Sequence, residues 1–182
     1  SSKPGIFSGG YDLKVMTSSP VAAKALVATG STLSRRLLSH PFPVVAVCTG
    51  HAIAKGAFIL LSVDYRIGVE GSFKLGLNEV AIGMTMHHAG IEIARHRMPA
   101  PYFYRSVVNA EIFNPETAIA AGFLDEIVAP EQLAERATAG ATQMKQLNMR
   151  AHKQTKLKTK AAYLEKLDWC IEQDAAHFDV LG

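Results

Sequence analysis

The chain has 182 residues, of which 48% are hydrophobic and 19% are charged, so it is long and apolar enough to form one domain with a sizeable core. This composition excludes disordered, fibrous and collagen-like proteins. The net charge of +3 is too small to indicate a nucleic-acid partner. The longest apolar runs, 44–48 and 57–61, fall far short of the roughly 18 residues of a membrane span, so we expect no membrane partner.

The first half of the chain predicts a long helix followed by strand, loop, helix and strand. Ser19 and Pro20 are typical of a helix start, and apolar residues then recur every three or four positions to about residue 39. Gly30 interrupts that apolar stripe. The β-branched run at 44–48 indicates a strand buried on both faces, and a loop at 49–56, a short buried helix at 57–63 and a strand at 65–69 follow.

The second half is mostly helical. Helices are expected at about 86–98 and 102–108, and Asn114 with Pro115 begins another that Gly122 ends. A short strand at 123–128 precedes a final helical region that begins at Pro130. We therefore predict one domain, with a core at 1–130 and a C-terminal helical region at 131–182. Two isolated cysteines form no disulfide framework, which favours a reducing cytoplasm.

Four segments, in this order and spacing, resemble the crotonase (enoyl-CoA hydratase/isomerase) superfamily. They are FSGGYDLK at 7–14, PVVAVCTGHAIAKG at 43–56, NEVAIG at 78–83, and 114–124, which runs from Asn-Pro-Glu to Ala-Ala-Gly-Phe-Leu. The resemblance implies an α/β fold, the crotonase-like ββα superhelix with a C-terminal helical region. Family members reach the first segment only after N-terminal strand and helix units, so we expect those units to be missing from the core here.

The resemblance also implies a site for an acyl-CoA thioester, with coenzyme A as part of the substrate and no other cofactor. The thioester oxygen would lie in an oxyanion hole made by the backbone N–H groups of Tyr11 and Lys55, which suits chemistry that passes through an enolate. Asp12, Leu13 and Lys14 would contact coenzyme A, and the substrate pocket would include Phe58, His87 and His88. The family usually has glycines where Ala54 and Lys55 stand, so Lys55 would be strained if the hole required a positive φ.

Glu79, the single carboxylate of residues 72–83, is the expected catalytic residue. Family hydratases use two glutamates, and the first of these positions falls on Phe58. One carboxylate is enough to move a proton along an acyl chain, and family enoyl-CoA isomerases resemble this single-glutamate pattern. The resemblance therefore favours isomerisation in fatty acid metabolism. A hydratase with one carboxylate and a non-catalytic CoA-thioester binding scaffold remain as alternatives.

The remaining charged residues receive more ordinary interpretations. Asp64 is interpreted as a turn carboxylate. The basic stretch at 145–160 is either a solvated helix face or, as in the family, a contact for the CoA phosphates. His88, Glu92 and His96 indicate a polar stripe rather than a zinc site, so no metal is expected. By family resemblance, the protein would be a homotrimer or homohexamer.

Overall fold

Strands from distant parts of the chain form two sheets among residues 3–178, which are the residues that the computed structural model describes. In one sheet, the order is β1 (Gly5–Ser8), β3 (Gly50–Ile53), β5 (Leu75–Gly76) and β6 (Ile112–Phe113). Its first three strands are parallel, and β6 runs antiparallel to β5. The other sheet is wholly parallel, in the order β2 (Val45–Cys48), β4 (Tyr65–Val69) and β7 (Glu126–Val128).

Helices surround these sheets and form the C-terminal region. They are α1 (Leu13–Met16), α2 (Pro20–Leu38), α3 (Lys55–Leu61), α4 (His88–Arg97), α5 (Ala100–Val107), α6 (Pro115–Ala121), α7 (Leu133–Lys145) and α8 (Met149–Ala176). The Ser19 hydroxyl accepts a hydrogen bond from the Ala22 N–H and so caps α2. Gly122 ends α6 with φ of 90°, a conformation that glycine adopts without strain. The start of α2 and the end of α6 were both predicted correctly.

The mixed α/β class with parallel strands and C-terminal helices is confirmed, but the short strands β3, β5 and β6 were not predicted. Residues 50–53 were predicted as a loop, and they form β3 between β1 and β5. Gly50 permits this pairing, because a Cβ atom there would lie 2.7 Å from the Gly5 Cα and closer still to its carbonyl group. The final helical region consists of two helices, α7 and α8.

The C-terminal helix α8 shares the main hydrophobic core with α3, α4 and several strands, whereas Leu133 of α7 packs in a separate cluster with Ile67 and Val69 of β4. Phe58 and Leu61 of α3, Ile93 of α4 and Leu167 of α8 are all buried in that core. The first two residues of the predicted core and the last four of the predicted helical region lie outside the described part of the chain. Within the described part, no helix has the length and apolar character that crossing a membrane requires.

Candidate active site

A cavity of about 170 Å³ lies where β1, β3 and β5 end. Gly9 follows β1, Ala54 follows β3 and Asn78 comes two residues after β5, and all three line the cavity. They meet because the carboxyl ends of parallel strands lie at one edge of a sheet, where ligands of α/β proteins commonly bind. The other wall residues are largely apolar and come from the loop after β1, from α1 and α2, and from the segment before α4: Tyr11, Leu13, Met16, Val27, Glu79, Ile82, Met84 and His87.

The two loops predicted to form an oxyanion hole lie against each other. A Cβ atom at Gly10 would lie 3.1 Å from the Ala54 Cβ and 3.6 Å from the Lys55 nitrogen, and Gly10 has φ of 102°. Glycine is therefore needed at position 10 both for its backbone angle and for this close approach. Within residues 3–178, neither the Tyr11 N–H nor the Lys55 N–H donates a backbone hydrogen bond. Both donors are thus free to bind an oxygen atom.

The expected strain falls on Ala54 rather than on Lys55. Ala54 has φ of 52° and ψ of −121°, whereas Lys55 is the first residue of α3. The condition under which Lys55 would be strained, a positive φ at that residue, is therefore not met. The Ala54 N–H donates to the Gly76 carbonyl at 3.0 Å, and its own carbonyl accepts from the Phe58 N–H at 3.1 Å. These bonds hold a backbone conformation that alanine rarely adopts.

Glu79 presents a buried carboxylate to the cavity. It follows β5, is 8% exposed and lines the cavity wall. Its Oε2 atom has no hydrogen-bond partner among the residues that the structure describes. Burial raises the pKa of Glu79 from 4.5 to about 7, although a hydrogen bond to its own backbone opposes the rise. A carboxyl group with a pKa near neutrality can both accept and return a proton.

His87 lies on the cavity wall and Phe58 packs against it from the core. His87 lines the cavity, and desolvation of its ring lowers its pKa to about 4 despite the opposing charge of Asp174. His87 is therefore neutral near pH 7. Phe58 was expected in the substrate pocket, but it is 1% exposed and does not line the cavity. Its ring meets the His87 ring edge to face at 5.7 Å, so Phe58 supports the wall from the core.

His88 was also expected in the pocket, and the structure places it elsewhere. Its ring packs against Trp169 of α8 with the ring centroids 6.3 Å apart. The Asp174 carboxylate accepts hydrogen bonds from the N–H groups of His88 and Ala89, at 2.7 and 2.9 Å. This buried aspartate of α8 therefore caps the start of α4, where His87 is held.

The three predicted CoA contacts are exposed residues at the start of α1. The Asp12 carboxylate accepts from the Lys14 N–H at 2.8 Å and caps α1, so it has a structural task of its own. Leu13 lines the cavity and is 67% exposed, and the Lys14 side chain is exposed. Of the three residues, only Leu13 lines the cavity.

Part of the basic stretch at 145–160 points away from this site. The Lys156 ammonium group donates to Asp64 Oδ2 at 2.6 Å, and Lys160 Nζ lies 3.7 Å from Asp64 Oδ1. Asp64 also accepts from the Val44 N–H at 2.9 Å, as expected of a turn carboxylate. These groups line a separate cleft of about 430 Å³ between α8 and the residues before β4. The structure therefore pairs Lys156 and Lys160 with Asp64, in a cleft separate from the cavity.

Two features of the site were missed from the sequence. The Lys55 side chain runs to α2 rather than into the cavity, and Gly30 of α2 receives it. The only sign of this contact in the sequence was Gly30 itself, because a glycine inside a helical pattern often marks the close approach of another group to the helix. Asp174 had no sequence signal, because it lies 86 residues from the N–H group that it caps. Within residues 3–178, no group of three or more His, Cys, Asp and Glu side chains could hold a metal ion.

Known proteins resemble the chain in sequence and in structure. An enoyl-CoA hydratase/isomerase family protein from Pseudomonas syringae is 64% identical with a TM-score of 0.95, over 96% of this chain and 76% of that one. A Mycobacterium tuberculosis protein is described in one structure as an enoyl-CoA isomerase and in another as a probable enoyl-CoA hydratase. In the first of these structures it is 42% identical with a TM-score of 0.91, over 97% and 76% of the two chains. These structures confirm the predicted crotonase-like fold.

Curated sequences and a family model agree with the structures. A probable enoyl-CoA hydratase of Mycobacterium avium is 28% identical over 75% of this chain, which spans 53% of that relative's length. The chain therefore covers about half of such a relative. The model of the enoyl-CoA hydratase/isomerase family matches residues 1–181. Together with the shared fold and the cavity at the strand ends, this match shows that the chain belongs to the enoyl-CoA hydratase/isomerase family.

Proposed function

We propose that the protein isomerises enoyl-CoA thioesters, with Glu79 as a single proton shuttle. The observation that carries this proposal is the placement of one buried carboxylate, with a free oxygen atom, in the same cavity as two loops that each offer an unused N–H group. Glu79 is the only carboxylate on the cavity wall among residues 3–178.

The proposed reaction moves a double bond by one position. The Glu79 carboxylate removes a proton from C2 of a 3-enoyl thioester, and the electrons move to give a dienolate. The N–H groups of Tyr11 and Lys55 donate to the dienolate oxygen, which stabilises its charge where water is excluded. The protonated Glu79 then returns the proton to C4, which yields the 2-enoyl thioester. Only one group is needed, because the proton leaves and returns on the same carboxylate.

Coenzyme A would lie outside the cavity, against residues 12–14. The exposed side chains of Leu13 and Lys14 support this placement. The neutral His87 would form part of the acyl wall. We further propose a homotrimer or homohexamer in the cytoplasm, acting in fatty acid metabolism. The two free cysteines, both buried, agree with a reducing compartment.

Two ultraviolet assays test the reaction on the complete protein. Isomerisation of 3-enoyl-CoA creates a conjugated thioester and raises its absorbance, whereas hydration of 2-enoyl-CoA removes it. We expect Glu79→Gln to lower isomerase kcat by about 10² or more while thioester binding survives, since a general base contributes about 10²–10⁴. Glu116→Gln, at an exposed carboxylate of α6, is the matched control and should keep the wild-type rate. The wild-type rate should also rise with pH to a plateau above about 7, because the base must be ionised.

The same assays separate the alternatives. The name of the Mycobacterium avium relative favours a second candidate, hydration in which Glu79 alone activates water. Efficient hydration that is kept in Glu79→Gln would refute the role of Glu79 in either reaction. Binding without turnover in either assay would instead identify a CoA-thioester scaffold.

A further inference from the structure

The side chain of Lys55 is buried away from the cavity and is anchored on α2. Its ammonium group donates to the Gly30 carbonyl at 2.5 Å and to the Ser34 hydroxyl at 2.6 Å. The residue is 6% exposed, and no carboxylate pairs with it in the described part of the chain. A buried ammonium group without a carboxylate costs stability. The burial of the Lys55 ammonium group therefore needs an explanation other than a gain in stability.

Gly30 also contacts Tyr11, whose backbone N–H is the other donor of the proposed oxyanion hole. A Cβ atom at Gly30 would lie 2.7 Å from the Tyr11 ring carbon Cε1 and closer still to its hydroxyl group. The Tyr11 ring therefore packs directly against the bare backbone of Gly30. The Tyr11 hydroxyl donates a long hydrogen bond to the Val27 carbonyl, at 3.5 Å, one turn earlier on α2. The side chains of Tyr11 and Lys55 thus meet the same two turns of one helix.

We propose that Lys55 is a positioning residue, whose ammonium group ties the loop that carries one oxyanion donor to the helix that orients the other. The inference rests on the proposed function, because it concerns the oxyanion hole. The backbone N–H of Lys55 is one donor, so anchoring its side chain restrains the donor itself. Donors of this kind act only if they are held in place before the reaction, and a displacement of about 1 Å can cost about 10² in rate.

The anchor also restrains the strained residue beside it. Ala54 adopts its positive φ directly before Lys55, and such a conformation persists only where the surroundings enforce it. Hydrogen bonds fix Ala54 to β5 and to α3. The hydrogen bonds from Lys55 to α2 restrain the same loop from a third side, the side on which Tyr11 packs. Burial lowers the pKa of the Lys55 ammonium group from 10.5 to about 7, which agrees with an enclosed anchor rather than a surface cation.

The test replaces Lys55 with methionine, which keeps the unbranched side chain as far as its ε position and keeps the backbone N–H but removes the ammonium anchor. The probe is 2,4-hexadienoyl-CoA, a conjugated thioester whose absorption band moves to longer wavelength when its carbonyl oxygen accepts strong hydrogen bonds. We expect the wild type to shift this band and Lys55→Met to lose most of the shift. Isomerase kcat should fall by about 10-fold to 10²-fold, while KM and the probe Kd change by less than about threefold.

Stability separates positioning from a purely structural role. Because Lys55→Met removes a buried ammonium group, it should be at least as stable to urea as the wild type. A structural role predicts the reverse, a less stable protein whose bound probe keeps its shifted band. Lys156→Met is the matched control, since Lys156 is equally buried but bound to Asp64 in the other cleft, and it should keep the wild-type band and kcat.

A second variant covers the case in which Lys55→Met does not fold. Ser34→Ala leaves the bond to Gly30 and should give a smaller loss of band shift and of kcat. A wild-type band shift and kcat in Lys55→Met, or in Ser34→Ala if only that variant folds, would overturn this inference alone. Failure of the wild type to bind or shift the probe would overturn the proposed function, and the inference with it.

Discussion

Replacing Glu79 with glutamine should change the stability of the protein by an amount that depends on pH. Glutamine keeps the shape of the neutral carboxyl group but cannot ionise. Burial raises the pKa of Glu79 from 4.5 to about 7, so the folded protein holds this proton more tightly than the unfolded chain does. The stability contributed by the proton is therefore complete below pH 4.5 and is lost as the pH rises through about 7.

The size of the effect follows from the same shift in pKa. A change of one in pKa corresponds to about 1.4 kcal/mol, so the raised pKa of Glu79 amounts to about 3 kcal/mol. Glu79→Gln should match the wild type near pH 4.5 and should be more stable by about 3 kcal/mol at about pH 8. The pKa values of His87 and Lys55 are lowered, so both also titrate in or near this range. Both proteins carry these two groups, so their contributions cancel in the difference.

Urea unfolding followed by circular dichroism, repeated from about pH 4.5 to about pH 8, measures this difference. Glu116→Gln should follow the wild type throughout, because that carboxylate is exposed. A difference between Glu79→Gln and the wild type that does not vary with pH would refute the reasoning, as would a wild type that is the more stable protein at about pH 8. Either result would mean that the Glu79 carboxylate is hydrated or paired in solution.

Two further predictions concern residues that support the site. Gly30→Ala should lower activity because the new methyl group must displace the Tyr11 ring. Urea unfolding should show a loss of only about 0–2 kcal/mol in the free energy of unfolding. Overpacking costs about 1–3 kcal/mol, whereas alanine stabilises a helix by about 1 kcal/mol relative to glycine. Activity equal to that of Thr29→Ala, an exposed control on the same helix, would contradict this. Asp174→Asn should cost about 1–2 kcal/mol by weakening the cap of α4, whereas the exposed Glu172→Gln should cost nothing measurable by the same assay.

Local sequence signals were sufficient for most of the helices and for the buried strands. Ser19 and Pro20 begin α2, and Asn114 and Pro115 begin α6, because a capping side chain and a proline act within one turn. The apolar run at 44–48 became β2, in which Ala46 and Cys48 are buried and Val45 and Val47 are partly buried. By contrast, β3 has the sequence Gly-His-Ala-Ile, which lacks a strand pattern. It becomes a strand because β1 and β5 lie on either side of it.

The amino-acid sequence by itself determined the family resemblance, the expected positions of the two oxyanion donors, and a lone Glu79 among apolar neighbours. Only the tertiary structure decided which side chains reach the cavity. Phe58 lies behind the wall, Lys55 turns to α2, and Lys156 pairs with Asp64 across 92 residues. The physical reason is that a side chain's partners depend on how helices and sheets pack. Packing joins residues far apart in the chain, whereas caps, turns and buried strands are specified by their immediate neighbours.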